Sequence, residues 1–262
     1  MLELVKQLDE SISKYIRPIT YPVAIRRFRR DEELPPKTKI PHKDFGHGIA
    51  ACQALAMARR MGWTVAMYKE DHGCGPCEFI TGYIEEPDFI KDGVIAKTIY
   101  TGNDEAALLT HQTTPMLRGA NIECLVFAPL DKCTFEPEVV VVYGNAAQVI
   151  RLVQGALYNT GGFIESRFSG RGACGSWWTV PVGQDKCNVV IPGGGERVFA
   201  LDGDDELAFA IPTSKIKDVI EGVAAVHKYG AARIPTPYVP LSAAPQLPPK
   251  YNDLQRFCGI IE

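Results

Sequence analysis

The sequence predicts an α/β (or α+β) fold made of two similar βαβ-containing halves, and three observations carry that expectation. Residues 138–143 read Glu-Val-Val-Val-Val-Tyr, an unbroken β-branched run of the kind that fills a central strand covered on both faces. Apolar residues recur at helical spacing in segments that alternate with such strands. The order strand, helix, strand, cysteine loop, helix is spelled twice, once on each side of residue 130.

In chain order, Leu2, Val5, Leu8, Ile12 and Ile16 lie on one helical stripe that Pro18 closes. Residues 21–28 read as a strand. Residues 49–61 are nearly apolar all round, as in a buried helix, and Gly62 ends it. A strand over 63–69 leads into Glu70-Asp71-His72-Gly73-Cys74-Gly75-Pro76-Cys77 and a short helix. Helical and loop segments broken at Pro87, Gly93 and Pro115 precede a strand over 122–128. After the Val run, Gly144-Asn145 opens a helix over 146–158, Asn159-Thr160-Gly161-Gly162 stops it, and 163–168 reads as a strand before the Cys174 loop. Trp63 stands eleven residues before Cys74 as Phe163 does before Cys174, so an internal duplication with a pseudo-twofold axis is the expectation. The organisation is then a first half over 1–130, a second over 131–230 and a Pro-rich tail over 231–262.

The chain of 262 residues, 46% hydrophobic and 23% charged, buries a sizeable core without staples. A net charge of −3 gives no general basic footprint, which excludes nucleic acid from the expected partners. Arg26, Arg27, Arg29 and Arg30 cluster, but Asp31, Glu32 and Glu33 follow, as on a solvated strand end. The start lacks a signal-peptide pattern and no apolar run approaches a membrane span, so a cytoplasmic protein is expected. In that reducing compartment the eight cysteines point to metal binding or thiol chemistry rather than to disulfides.

Cys74-Gly75-Pro76-Cys77 puts two thiols at a helix start, where the free N–H groups and positive dipole end favour the thiolate that a metal or an exchange reaction needs. Pro76 suits a first helical turn, having no N–H to waste. Asp71 and His72 are candidate hydrogen-bond partners behind the pair. The same four letters resemble the thioredoxin active-site motif. Gly73 stands where thioredoxins carry Trp, and Gly82 and Pro87 cut the following helix short, so the likeness concerns exchange chemistry and not the fold.

A longer resemblance covers residues 20–212. Tyr21-Pro22-Val23-Ala24-Ile25, the stretch from Cys52-Gln53 to Arg59 with Gly62, and Glu70-Asp71 before Cys74 resemble the first half of the uncharacterised ArCR family, common in archaea and anaerobic bacteria. Gly144-Asn145 through Leu152, Cys174, Gly195-Glu196-Arg197, Asp205-Glu206-Leu207 and Ile211-Pro212 resemble its second half. The resemblance implies a further Cys just before the Gly-x-Arg element, where this chain has Gly193-Gly194-Gly195. It implies a fold and a lineage without a settled activity.

On chemistry, Cys52, Cys74, Cys77 and Cys174 form the expected constellation. Four thiolates from separate segments suit an iron-sulfur (4Fe-4S) cluster or a structural zinc, and spacing alone does not choose; the family's prevalence in anaerobes favours iron. Cys52, toward its helix start, also reads as a small core hydrophobe. Cys124 and Cys258 read as structural, while Cys133 and Cys187 are substitute ligands. Gly194, Gly195 and Arg197 form a candidate anion nest, without the Gly-Lys-Ser/Thr of a P-loop, and equally read as a tight turn. Trp177 and Trp178 are candidate pocket walls of which at least one should be core; His47 reads as a loop residue. Three functions stay open: a redox or cluster-dependent iron-sulfur protein, a thiol-disulfide or zinc protein using Cys74 and Cys77, and a non-catalytic small-molecule-binding protein. The partners expected are a redox partner or small ligand and a second copy, because the six prolines over 234–250 predict an extended segment that wraps its own domain or a twofold homodimer.

Overall fold

Period-two alternation of buried side chains builds one antiparallel sheet from both halves of the chain. The computed structural model describes residues 2–97, 99–228 and 250–261. Its strands are β1 Val23–Phe28, β2 Val65–Tyr68, β3 Cys124–Pro129, β4 Val139–Gly144, β5 Asn188–Val190 and β6 Leu207–Pro212, in the order β2-β3-β1-β4-β6-β5. Every neighbouring pair runs antiparallel, and β1 joins the halves by pairing Ala24 with Ala128 of β3 and Val140 of β4. Helices are α1 Leu2–Tyr15, α2 Pro41–Phe45, α3 Ala51–Ala56, α4 Gly75–Thr81, α5 Asp104–Thr113, α6 Ala146–Leu157, α7 Val180–Gln184, α8 Gly194–Phe199, α9 Ile216–Lys228 and α10 Lys250–Phe257.

The sheet is covered on both faces. Ile25, Leu125, Phe127, Val139 and Val141 point to a layer holding α3, α4 and the buried Trp177 and Trp178. Ala24, Val126, Val140, Val142 and Phe209 point the other way, to α1, α6 and α9. Val139 to Val142 are at most 1% exposed, and each such burial stabilises by about 1.5–3 kcal/mol over exposure. The central, doubly covered β4 is therefore as its sequence predicts. On the second face α6 and α9 cross at Gly155 and Gly222: a Cβ on Gly222 would lie 1.9 Å from the Gly155 carbonyl oxygen, so only glycine permits this approach.

The expected βαβ units are present in split form: β1 and β2 run the same way with β3 antiparallel between them, as do β4 and β5 with β6 between, and β4 is doubly buried because helices cover both faces. Two expectations are not met. Residues 163–168 form no strand. Phe163 and Phe168 are exposed, and Ser166 Oγ accepts the Val189 N–H at 2.9 Å, so the segment caps the edge of β5 through a side chain. The strand order is palindromic, β2-β3-β1 against β4-β6-β5, but the helices that follow β1 and β4 pack on opposite faces, so the internal repeat is not reproduced. The Pro-rich segment predicted to wrap a domain or a partner lies mostly outside the described residues.

Candidate functional site

Two backbone crossings bring the four expected cysteines together on one face of the sheet. In the first, Ile49 donates to the Asp71 carbonyl at 2.9 Å and Gly73 donates back to the Ile49 carbonyl at 2.8 Å. Gly48 and Gly73 make the approach possible, since a Cβ on either would meet the other strand's backbone at 2.9 Å. Buried Asp71 pins this loop, accepting the His42 and Tyr68 N–H groups at 2.9 and 3.1 Å. The start of α3, carrying Cys52, thus abuts the start of α4, carrying Cys74 and Cys77. In the second crossing, Trp178 Nε1 donates to the Thr81 carbonyl at 3.1 Å and Thr179 Oγ1 to the Ile80 carbonyl at 2.8 Å. These bonds tie the π-helical turn Gly175–Thr179 to α4 and set Cys174 against Cys77.

Cys52, Cys74, Cys77 and Cys174 line one cavity of about 190 Å³. Its apolar wall is formed by Ala50, Ala51, Pro76, Ile80, Ile95 and Phe199. All four cysteines are free. Among the described residues, no three His, Cys, Asp or Glu side chains are grouped so as to hold a metal ion. Three of the thiols are held protonated: burial, then the neighbouring Cys77, push Cys74 up to about 11. A hydrogen bond with Cys174 and then burial push Cys77 well above its ordinary range, and burial likewise raises Cys52. The sequence expectation that a helix start would favour thiolates is thus reversed, because α4 has only seven residues and desolvation outweighs its dipole.

Two further polar groups line the cavity and were not anticipated from the sequence. Arg171 sits between Gly170 and Gly172, whose φ values of +73° and +60° form a left-handed turn, and its residue is 8% exposed. Nη1 and Nη2 have no hydrogen-bond partner. Glu196, 5% exposed, accepts Trp177 Nε1 at 2.7 Å through Oε1, while Oε2 is unpartnered. Burial, then the nearby Asp202, push the Glu196 carboxyl up to about 7. The only advance signal was the spacing of Arg171 within Gly-Arg-Gly-Ala-Cys and of Glu196 within the glycine run.

The remaining candidates fall elsewhere. Gly195 lines the cavity, but the Arg197 guanidinium is occupied by the Gly203 carbonyl at 2.9 Å and Asp204 at 2.8 Å, and the six-residue α8 behind the glycines is too short to carry a strong dipole. Gly194 donates its N–H to the Gly170 carbonyl. Cys124, Cys133 and Cys187 pack in the layer on the opposite face, so the sheet separates the last two from any shared ligand set with the other four. Trp177 and Trp178 are both core, His72 stacks edge-on to Tyr83, and His47 is exposed. The four arginines in and just after β1 pair with Glu32, Glu138, Asp31 and Glu70, as on a solvated strand end. A larger hollow of about 860 Å³ beside residues 160–167 holds none of these groups except Cys187. Among the described residues, no helix is long and apolar enough to cross a membrane.

Fold and cavity together define a mixed α/β protein with an apolar, cysteine-lined site at the meeting of three chain segments. The chain belongs to the uncharacterised ArCR family, whose model matches residues 11–222 and so spans every strand of the sheet and all of the cavity. It is also similar to an uncharacterized protein of Methanocaldococcus jannaschii, 27% identical over 207 residues that cover 77% of this chain and 85% of that protein. No solved structure matches the chain.

Proposed function

We propose that this is an iron-sulfur protein whose 4Fe-4S cluster is ligated by Cys52, Cys74, Cys77 and Cys174, in a redox or cluster-dependent role. The observation that carries the reading is the convergence of these four thiols, from three separate stretches of chain, on one cavity with an apolar wall. A single zinc requires its ligands to meet at about 2.3 Å from one point. A cubane holds its thiolates around an eight-atom core, which needs a cavity among them rather than a point, and these four line one. The raised thiol pKa values count against spontaneous exchange chemistry, since the thiolate is the nucleophile, whereas a coordinating metal deprotonates its thiols outright.

The test is anaerobic purification followed by iron and acid-labile sulfide analysis. Bound iron with sulfide and broad visible absorption are expected, lost in Cys74→Ser and in Cys174→Ser but retained in Cys258→Ser. A second reading is favoured by one contact: Cys77 lies against Cys174, so these two, and not the Cys-x-x-Cys pair, are the candidates for a reversible disulfide. A colourless, metal-free protein that cycles between dithiol and disulfide would replace the cluster reading with that one. The twofold homodimer stays part of the proposal, supported by the exposed Tyr251, Leu254 and Phe257 on α10, and size-exclusion of a chain ending at residue 228 reads it.

A further inference from the structure

Arg171 is a buried cation with no carboxylate partner among the described residues, its nearest ionisable neighbours being Tyr100 and Cys174. Its guanidinium is desolvated at the cavity wall, both terminal nitrogens lack partners, and no carboxylate among the described residues pairs with it. Burying an ion without a counter-charge costs several kcal/mol, so a protein that keeps one there holds it for an anion that arrives from outside. The turn carrying it is built to stay put. Gly194 donates to the Gly170 carbonyl at 3.3 Å, and Ser169 Oγ donates to the Arg171 carbonyl at 3.2 Å. A side chain at Gly193 would meet the Gly170 oxygen at 2.8 Å, so the two loops interlock only with glycine there. A planar fork of donors in fixed position matches a carboxylate or a phosphate through two parallel hydrogen bonds.

The rest of the cavity narrows the ligand. Its volume of about 190 Å³ is below the several hundred Å³ of sites for drug-sized molecules, which leaves room for a few carbons. Ala50, Ile80, Ile95 and Phe199 offer a carbon chain an apolar wall, which inorganic phosphate would leave unused. Glu196, in the same lining, keeps Oε2 buried and without a partner, an acceptor that a hydroxyl on the ligand would satisfy.

We propose that the cavity is a binding site for a short hydroxy acid, whose carboxylate is taken by the Arg171 guanidinium and whose hydroxyl donates to Glu196. The inference is read from Arg171 and Glu196, not from the cysteines, and goes beyond the cluster reading; a cluster on the four thiols would take up the same cavity, so acid binding is expected in the iron-free protein whichever way that reading falls.

Calorimetric titration of the full chain with lactate, propionate and phosphate tests it, both as purified anaerobically and after iron is removed by a chelator. Saturable lactate binding is expected in the wild type. Arg171→Gln should weaken it at least tenfold, Arg171→Lys less, because a point charge keeps the attraction and loses the fork. Glu196→Gln should weaken lactate more than propionate, and Arg197→Gln should change neither. The iron-free protein should bind lactate whether or not the cluster reading holds, and iron analysis of the purified protein decides that reading separately. Three outcomes would overturn the proposal: no saturable binding of either acid in either form, tight binding of phosphate alone, or lactate binding that Arg171→Gln leaves within twofold. A loss of iron in Arg171→Gln without any acid binding in the wild type would instead assign the guanidinium to the thiolate centre.

Discussion

Arg59 and Arg171 are equally hidden from water and differ in every other respect. Arg59, on the π-helical turn Met57–Met61 that continues α3, is 1% exposed; it donates to Glu206 at 2.7 and 2.8 Å and to Asp202 at 2.6 Å, and lies 4.0 Å over the Tyr143 ring. Burial alone would lower its pKa, but these partners hold it above its ordinary value. Arg171 has no such set, and burial pushes it down. The difference teaches that a buried charge is structural where the chain supplies its counter-charge and functional where it does not. It also gives the largest expected effect. Arg59→Met should cost about 3–5 kcal/mol in denaturant unfolding, because Asp202 is left buried and unpaired. Arg171→Gln should cost nothing measurable or stabilise the protein, since no native bond is lost. Equal destabilisation by both would erase the contrast.

Two carboxylates, Glu206 on Arg59 and Glu196 in the cavity wall, titrate with opposite signs. Hydrogen bonding to Arg59 holds Glu206 down at about 2, against an ordinary 4.5. A carboxyl depressed in the folded state contributes stability that is complete above the unfolded value and is lost as pH falls through the folded one. Glu206→Gln should therefore cost on the order of 2–3 kcal/mol at pH 7, and the gap to wild type should close between about pH 4.5 and 2. Asp202 shares Arg59 yet is raised, because its burial outweighs the attraction. Glu196 is raised too, from an ordinary 4.5 to about 7, so its ionisation opposes folding as pH climbs across that window. Glu196→Gln should match wild type below pH 4.5 and exceed it above pH 7 by up to roughly 2–3 kcal/mol. Paired urea titrations across pH 3 to 8 check both curves; a difference that does not vary with pH would sink either assignment.

Much of this was legible in the sequence, for reasons that differ by residue. The Val run of β4 and the stripe of α1 are one-dimensional patterns that burial must reproduce. The four cavity cysteines were legible because few residues carry their chemistry, but the contacts that gather them, the glycine-permitted crossing of Ile49 on Gly73 and the Trp178 and Thr179 bonds to α4, are tertiary. Residues 163–168 carry strand-forming Phe163 and Ile164 but stay outside the sheet, meeting the edge strand β5 through Ser166 Oγ, while β5, at three residues, is too short to announce itself. Arg171 and Glu196 were missed because burial of a charge is a tertiary property. In Gly-Arg-Gly and Gly-Gly-Gly-Glu-Arg both look like surface polarity, and Arg59 hides likewise among the small residues of α3.

The smallest effect separates Arg197 from Arg171. Both lie in glycine-rich stretches, both stand near the cavity, and the sequence singled out Arg197. Its guanidinium meets the Gly203 carbonyl and an Asp204 side chain fully open to solvent, a pairing that water and salt screen almost completely. Arg197→Gln should change unfolding free energy by no more than about 0.5 kcal/mol. It should likewise leave iron content and lactate affinity at wild-type values, while Arg171→Gln abolishes tight acid binding at unchanged stability. A loss of binding in Arg197→Gln that matches the loss in Arg171→Gln would mean that solvent exposure, and not the absence of a partner, marks the ligand-binding arginine, and the comparison between buried charges would fail with it.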